Sequence, residues 1–144
     1  MTTVTPIATA CTFTALENGV WVFKFLESTH KAVDEWLGWQ EYLISTQPLP
    51  ADGVARMIVD IRKSGLPPFL YTLQQARVWR SKHPEVETIL LKVAMVTNTT
   101  GTLQQRYANL IKDGVNVFGM NAIRIELFPA AFDQAIEWLL RPES

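Results

Sequence analysis

Ile89-Leu90-Leu91-Lys92-Val93-Ala94-Met95-Val96-Thr97 is apolar at every position except Lys92 and the closing threonine. A short, nearly unbroken run of this kind reads as a strand buried on both faces, as in a sheet that helices cover. Downstream, Thr97-Asn98-Thr99-Thr100-Gly101 leads into a helix whose Thr102 and Gln105 have capping-box spacing. Leu103, Tyr107, Leu110 and Ile111 form its narrow apolar stripe, and Asp113-Gly114 ends it. Upstream, His83-Pro84 stops a helix that Pro67-Pro68 open and that reaches about Lys82. A proline in the first turn loses no needed N–H, so that start is favourable. Before it come a loop at residues 62–68 and a second compact apolar strand at residues 54–61, which carries Arg56 and Asp60.

The rest of the chain continues the alternation. Glu17-Asn18-Gly19 separates two β-prone runs, residues 9–16 and 20–26. Asn-Gly tolerates the positive φ of a tight turn, so these runs should pair antiparallel. Ser28 or Thr29 can cap a helix to about Thr46. On it Ala32, Val33, Trp36, Leu37, Trp39, Leu43 and Ile44 fill one arc, and Lys31, Asp34, Glu35, Glu41 and Tyr42 fill the other. Pro48-Leu49-Pro50-Ala51-Asp52-Gly53 makes the next connection. Residues 122–128 alternate, with Ile123, Ile125 and Leu127 opposite Arg124 and Glu126, which predicts a half-exposed strand. A last helix, from about Ala130 to Leu140, is expected to bury Ala131, Phe132, Ala135, Ile136, Trp138 and Leu139. The expected order is β-β-α-β-α-β-α-β-α: an α/β fold with a mixed, mainly parallel sheet of about five strands and four helices. No repeat or linker divides the 144 residues, which read as one domain with its core over about residues 9–140.

Composition narrows the classes of function. Apolar residues make up 48% and charged ones 19%, a globular balance. Thirteen basic and fourteen acidic residues leave a net charge of −1, without the basic excess of a nucleic-acid binder. Cys11 is alone, so no intrachain disulfide is expected. Residues 1–10 lack the charged start and apolar run of a signal peptide, and no stretch approaches the ~20 apolar residues of a membrane span. A cytoplasmic location without membrane insertion is the expectation.

Three stretches carry a family likeness. They are Ile58-Val59-Asp60-Ile61-Arg62 at a strand end, the strand Lys92-Val93-Ala94-Met95-Val96-Thr97, and Arg124-Ile125-Glu126-Leu127-Phe128 followed by Ala135-Ile136-Glu137-Trp138-Leu139. Together with the order of elements they resemble the SpoIIAA-like, STAS-type domains over roughly residues 14–140. The resemblance implies a small bacterial regulatory domain that works through protein–protein contacts, without catalysis, cofactor or metal. Some members resemble CRAL-TRIO lipid-binding domains in shape, which implies a second use: carrying or sensing an apolar, lipid-like molecule. The family's antagonists carry a phosphorylatable serine in an Asp-Ser-Ser-Gly-like sequence that opens a helix. Here Ser64-Gly65-Leu66 lies in the comparable loop, but Arg62-Lys63 precede it and Pro67-Pro68 follow. Ser64 is therefore expected to be an unmodified loop residue.

Patterns that carry chemistry are sparse. Gly-x-Gly-x-x-Gly, phosphate-loop, Cys-x-x-Cys and His-x-x-x-His signatures are all missing from the sequence, and no residue is singled out as catalytic or metal-binding. His30 and His83 read as capping or surface residues, Cys11 as a small core residue, and Asp133 with Glu137 as a solvated helix face. Two features stand out. Ligands of open α/β sheets bind beyond the carboxyl ends of the strands. Polar loops follow two such ends: Asp60, Arg62, Lys63 and Ser64 after one strand, Thr97, Asn98, Thr99 and Thr100 after the next. They serve either as caps and solvated turns, as contacts for a small anion or partner, or, in a further alternative, as the working loops of a small enzyme. The second feature is the helix at residues 68–82. Phe69, Leu70, Leu73 and Ala76 share one side, Tyr71 and Val78 lie nearly opposite, and Trp79 lies on the flank, while Arg77 and Arg80 fall inside the first arc. Either this helix bends, or Tyr71, Val78 and Trp79 meet something: a second subunit in a homodimer, another protein, or an apolar small molecule.

Overall fold

Asn18 and Gly19 close a tight hairpin. Gly19 adopts φ 85°, in the left-handed region where a side chain would be strained. Its N–H donates to the Leu16 carbonyl (3.1 Å), and the Leu16 N–H donates to the Val20 carbonyl (2.9 Å). The turn fixes the register of β1 (Cys11–Ala15) against β2 (Trp21–Phe25), antiparallel, with Phe13 opposite Phe23. The computed structural model describes residues 9–48, 50–98, 106–107, 109–110, 113, 123–129 and 131–141.

Thr29 then caps α1 (His30–Thr46), its hydroxyl accepting from the Ala32 N–H at 3.2 Å. β3 (Val54–Asp60), α2 (Phe69–Ser81), β4 (Leu90–Thr97), β5 (Ile123–Pro129) and α3 (Phe132–Leu140) follow. The sheet runs β1-β2-β3-β4-β5 in space, and β2 through β5 are parallel. α1 and α2 pack on the same face while the strands step one way, so their two crossovers share one hand.

Two differences from the expected order have plain causes. A 3-10 turn, Pro84–Thr88, stands between α2 and β4; Pro84 occupies its first turn, where the missing N–H is harmless. Three helices, where four were expected, have both ends among the described residues. The helix expected from Thr102 lies largely outside those residues, of which Arg106, Tyr107, Asn109, Leu110 and Asp113 are helical.

Each face of the sheet has its own core. On the front, Phe23, Phe25, Met57, Val59, Val93 and Met95 meet Ala32, Val33, Leu37 and Leu43 of α1. On the back, Val20, Ile58, Ala94 and Val96 meet Ala135 and Leu139 of α3. Covering on both faces is why the central strands carry apolar residues at successive positions. Lys92, the interruption in β4, is only 3% exposed and belongs to the back face. Its ammonium donates to the Trp138 carbonyl (2.9 Å) and lies over the Trp138 ring at 4.6 Å. Arg56 of β3 donates through Nε to the Leu139 carbonyl (2.7 Å) and pairs with Asp52 (2.9 Å). Two strand cations thus meet the C-terminal carbonyls of a helix that has no basic residue in its own last turn.

Candidate site beneath the second helix

α2 is attached to α1 along a polar seam. The Tyr71 hydroxyl donates to Asp34 (2.6 Å), and its ring stacks on His30 with centroids 3.7 Å apart. The hydrogen bond to Asp34 raises the Tyr71 pKa, because the carboxylate favours the protonated phenol. Further along, Glu41 accepts from the Trp79 indole (3.1 Å) and pairs with His83 at 2.6 Å. Asp34 and Glu41, two carboxylates on the polar arc of α1, are therefore what α2 docks on.

Behind this seam the apolar packing is incomplete. Leu73 is buried, and Phe69 and Ala76 pack only partly against the front core. Between α2 and the sheet lies an apolar cavity of about 90 Å³, walled by Phe25, Val59, Leu73, Ala76, Val93 and Met95 among others. A smaller cavity of about 40 Å³ continues toward Leu43, Pro50 and Ile89. The two share Gln40, Trp79, Arg80 and Leu91 as a common wall. Burial pushes up the pKa of Tyr107, on the wall of the larger cavity, since ionisation there would strand a charge among apolar groups. Trp36 and Gln40 of α1 also line this cavity, while their donor atoms Trp36 Nε1 and Gln40 Nε2 are buried within the packing and have no hydrogen-bond partner among the described residues.

No protein-family model, curated protein or solved structure matches this chain.

The described strand-end residues singled out from the sequence do not line this cavity, and Asp60, Arg62 and Asn98 bond to one another. Asp60 is 4% exposed and receives Arg62 through Nε (3.0 Å), through a second guanidinium nitrogen (2.9 Å) and through the backbone N–H (3.1 Å). Burial works against ionisation of Asp60, but these bonds from Arg62 outweigh it and hold the carboxyl below its ordinary range. Asn98 donates to the Arg62 carbonyl (2.8 Å), and the Arg62 guanidinium stands 5.8 Å from the centre of the Phe132 ring. Thr97 is buried, Lys63 is exposed, and the Ser64 hydroxyl donates to the Gly65 carbonyl (2.9 Å). Thr99 and Thr100 lie outside the described residues. This arrangement ties the end of β3 to the loop after β4 and to the start of α3.

Tyr71, Val78 and Trp79 do not share a face. Tyr71 and Trp79 turn toward α1, Trp79 also walls both cavities, and Val78 points outward at 46% exposure. Leu70, grouped with the inward side on the wheel, is 61% exposed. The helix is shared between the sheet, α1 and the outside, which a single apolar arc cannot represent.

Gln40 is the wall residue of α1 that sequence reasoning passed over, whereas Trp36 falls in the apolar arc. Gln40 follows Trp36 by four and Leu37 by three, and precedes Leu43 and Ile44 at the same spacings. A carboxamide centred in the apolar arc of an amphipathic helix was the available signal.

Among the described residues no three His, Cys, Asp or Glu side chains are grouped to hold a metal ion, and no helix is long and apolar enough to cross a membrane.

Proposed function

We propose that this chain is a non-enzymatic binding domain that holds a small, mainly apolar molecule between α2 and the front of the sheet. The observation that carries this reading is the apolar cavity of about 90 Å³ beneath α2. Close packing is the rule in protein interiors, and unfilled apolar space forfeits dispersion contacts that a ligand of the right shape restores. The seam of Tyr71, Trp79 and His83 supports the same reading, because polar bonds hold the helix in place where apolar contact is incomplete. The SpoIIAA-like resemblance supports a role in binding, and its lipid-binding relatives in shape favour the apolar-ligand branch of that role. The size of the space favours a compact molecule over a full lipid chain.

The test is thermal denaturation with toluene or cyclohexanone added at increasing concentration. A ligand that binds only the folded chain raises the midpoint progressively, by about 2.7 kcal/mol of stability at a hundred times its Kd. Ala76→Leu, which places carbon inside the cavity, should remove that response. Midpoints unmoved by either compound would refute the proposal.

A second reading has one observation of its own. Leu70 and Val78 are exposed on the outer side of α2, where they could contribute to contact with a second copy or another protein. Under that reading Val78→Glu lowers the mass seen by light scattering across a dilution series, since a buried unpaired charge opposes the interface. A wild-type chain that is monomeric throughout the series counts against self-association.

A further inference from the structure

The cavity lies behind a helix whose attachment includes a side chain that titrates near neutral pH. Resting on the ligand site proposed above, we propose that the proton on His83 latches α2 over the cavity. The helix is held shut while the imidazole is charged and opens more readily once it is neutral, so apolar ligands enter and leave faster as pH rises.

His83 sits in the corner between α2 and the 3-10 turn, where Pro84 ends the helix. Its backbone N–H donates to the Arg80 carbonyl (3.1 Å), and its carbonyl accepts from the Val86 N–H (3.0 Å). The side chain is 18% exposed, and each ring nitrogen faces a carboxylate. Nε2 is 2.6 Å from Glu41 of α1, and Nδ1 is 3.3 Å from Glu85 of the turn. Glu41 also accepts from the Trp79 indole, whose ring lies against the imidazole with centroids 4.7 Å apart. Trp79 in turn walls both cavities. One proton is thus connected, through a single carboxylate, to the wall of the ligand space.

A neutral imidazole carries one N–H, so it donates to one of the two carboxylates and turns a lone pair toward the other. An imidazolium carries two N–H groups and satisfies both, with the added attraction of opposite charges. Protonation therefore strengthens the closed arrangement relative to an open one in which His83 has left Glu41. By linkage the closed form gains as pH falls and loses as pH rises. Imidazole changes charge between about pH 5 and 8. Glu41 from α1 and Glu85 from the turn are the acidic groups that face His83, and Arg80 and Lys82 are its nearest cations along the chain. Carboxylate, ammonium and guanidinium groups ordinarily titrate outside that window. At the other end of the seam the bond to Asp34 raises the Tyr71 pKa, so the phenol stays neutral throughout. His30, stacked on the Tyr71 ring, is the other of the chain's two histidines and supplies the control.

Toluene is the probe, because it has no group that titrates and any effect of pH on its exchange belongs to the protein. Its exchange with the whole chain is followed by relaxation-dispersion NMR at the methyls of Leu73, Val93 and Met95, which line the cavity. From pH 5.5 to pH 8 entry and release should both quicken about three- to fivefold, the range for a partly exposed ion pair. The Kd should stay nearly constant, because one opening serves both directions. His83→Gln should give pH-independent rates near the wild-type values at pH 8, and its toluene binding shows that the variant is folded. Glu41→Gln, which keeps an acceptor for Trp79 but loses the charge, should flatten the profile in the same way. His30→Gln should retain the wild-type dependence. Wild-type rates that ignore pH while toluene still binds would overturn the latch and leave the ligand site standing. A dependence that survives both His83→Gln and Glu41→Gln, or vanishes in His30→Gln, would overturn the assignment to His83. A Kd that follows pH at constant release rate would overturn gating. Absence of toluene binding at every pH would remove the site and the latch with it.

Discussion

Glu35 shows how one side chain can organise a strand that is distant in sequence. Its carboxylate accepts from the backbone N–H groups of Thr9 (2.7 Å), Ala10 (2.8 Å) and Cys11 (3.1 Å), and from the Thr9 hydroxyl (3.1 Å). Partial burial opposes ionisation, yet the bonds from Ala10, Cys11 and Thr9 outweigh it and lower the pKa. A folded pKa below the unfolded value, near 4.3, means that the contribution is complete above that value and fades as pH falls through the folded one. Replacement by Gln keeps the shape but loses the charge. At pH 7, Glu35→Gln should lose about 1–2 kcal/mol, a range reduced because the site is largely open to solvent. Urea titrations from pH 7 to pH 3 should show the variant's deficit shrinking toward the acid end. A deficit that is constant across that range would mean the charge is immaterial. Nothing in the helical wheel of residues 30–46 points to this role, since Glu35 falls among the polar residues and its partners lie 24–26 positions earlier. Gln40 was more legible, because a carboxamide inside an apolar arc is visible in the periodicity itself.

At the level of elements, helices and strands differ in how far their neighbours can be read. β3 and β4 were legible as buried strands because covering on both faces removes the polar alternation. The cap of α1 was legible as Ser28 or Thr29 from residue type and position, and the structure selects Thr29. The purpose of Lys92 was not, since the carbonyl it meets belongs to Trp138, 46 residues onward. Lys92→Met keeps apolar bulk but leaves α3 without that donor, and should cost about 2 kcal/mol. Hydrogen exchange should locate the loss in α3, with α1 protection little changed. Uniform loss across all helices would contradict the capping role. α2 is the opposite case: its wheel was ambiguous because three surroundings claim its faces. Glu41→Ala removes one carboxylate that serves both Trp79 and His83. The expected result is faster exchange of α2 amides and a stability loss of about 1 kcal/mol, because both contacts are partly exposed. Unchanged α2 exchange would show that apolar packing alone holds the helix.

For the whole molecule, the spatial order of the strands comes from the structure, whereas the succession of elements and the two-sided covering follow from the alternation of strand and helix patterns along the chain. The cavity does not, because it is a deficit in packing between Phe25, Val59, Met95 and α2, and no single segment records it. The strand-end loops drew attention by composition, yet Asp60, Arg62 and Asn98 are engaged with one another, and the hollow lies on the front face under α2. The account therefore rests on one claim: a small apolar molecule enters that front-face space. The most direct measurement is methyl NMR during titration with cyclohexanone. Shift changes should concentrate at Val59, Leu73, Val93 and Met95, which line the cavity, and spare Val20, Ile58, Val96 and Leu139 of the back core. Saturable changes confined to Leu70 and Val78, or no saturable change at any methyl, would contradict it.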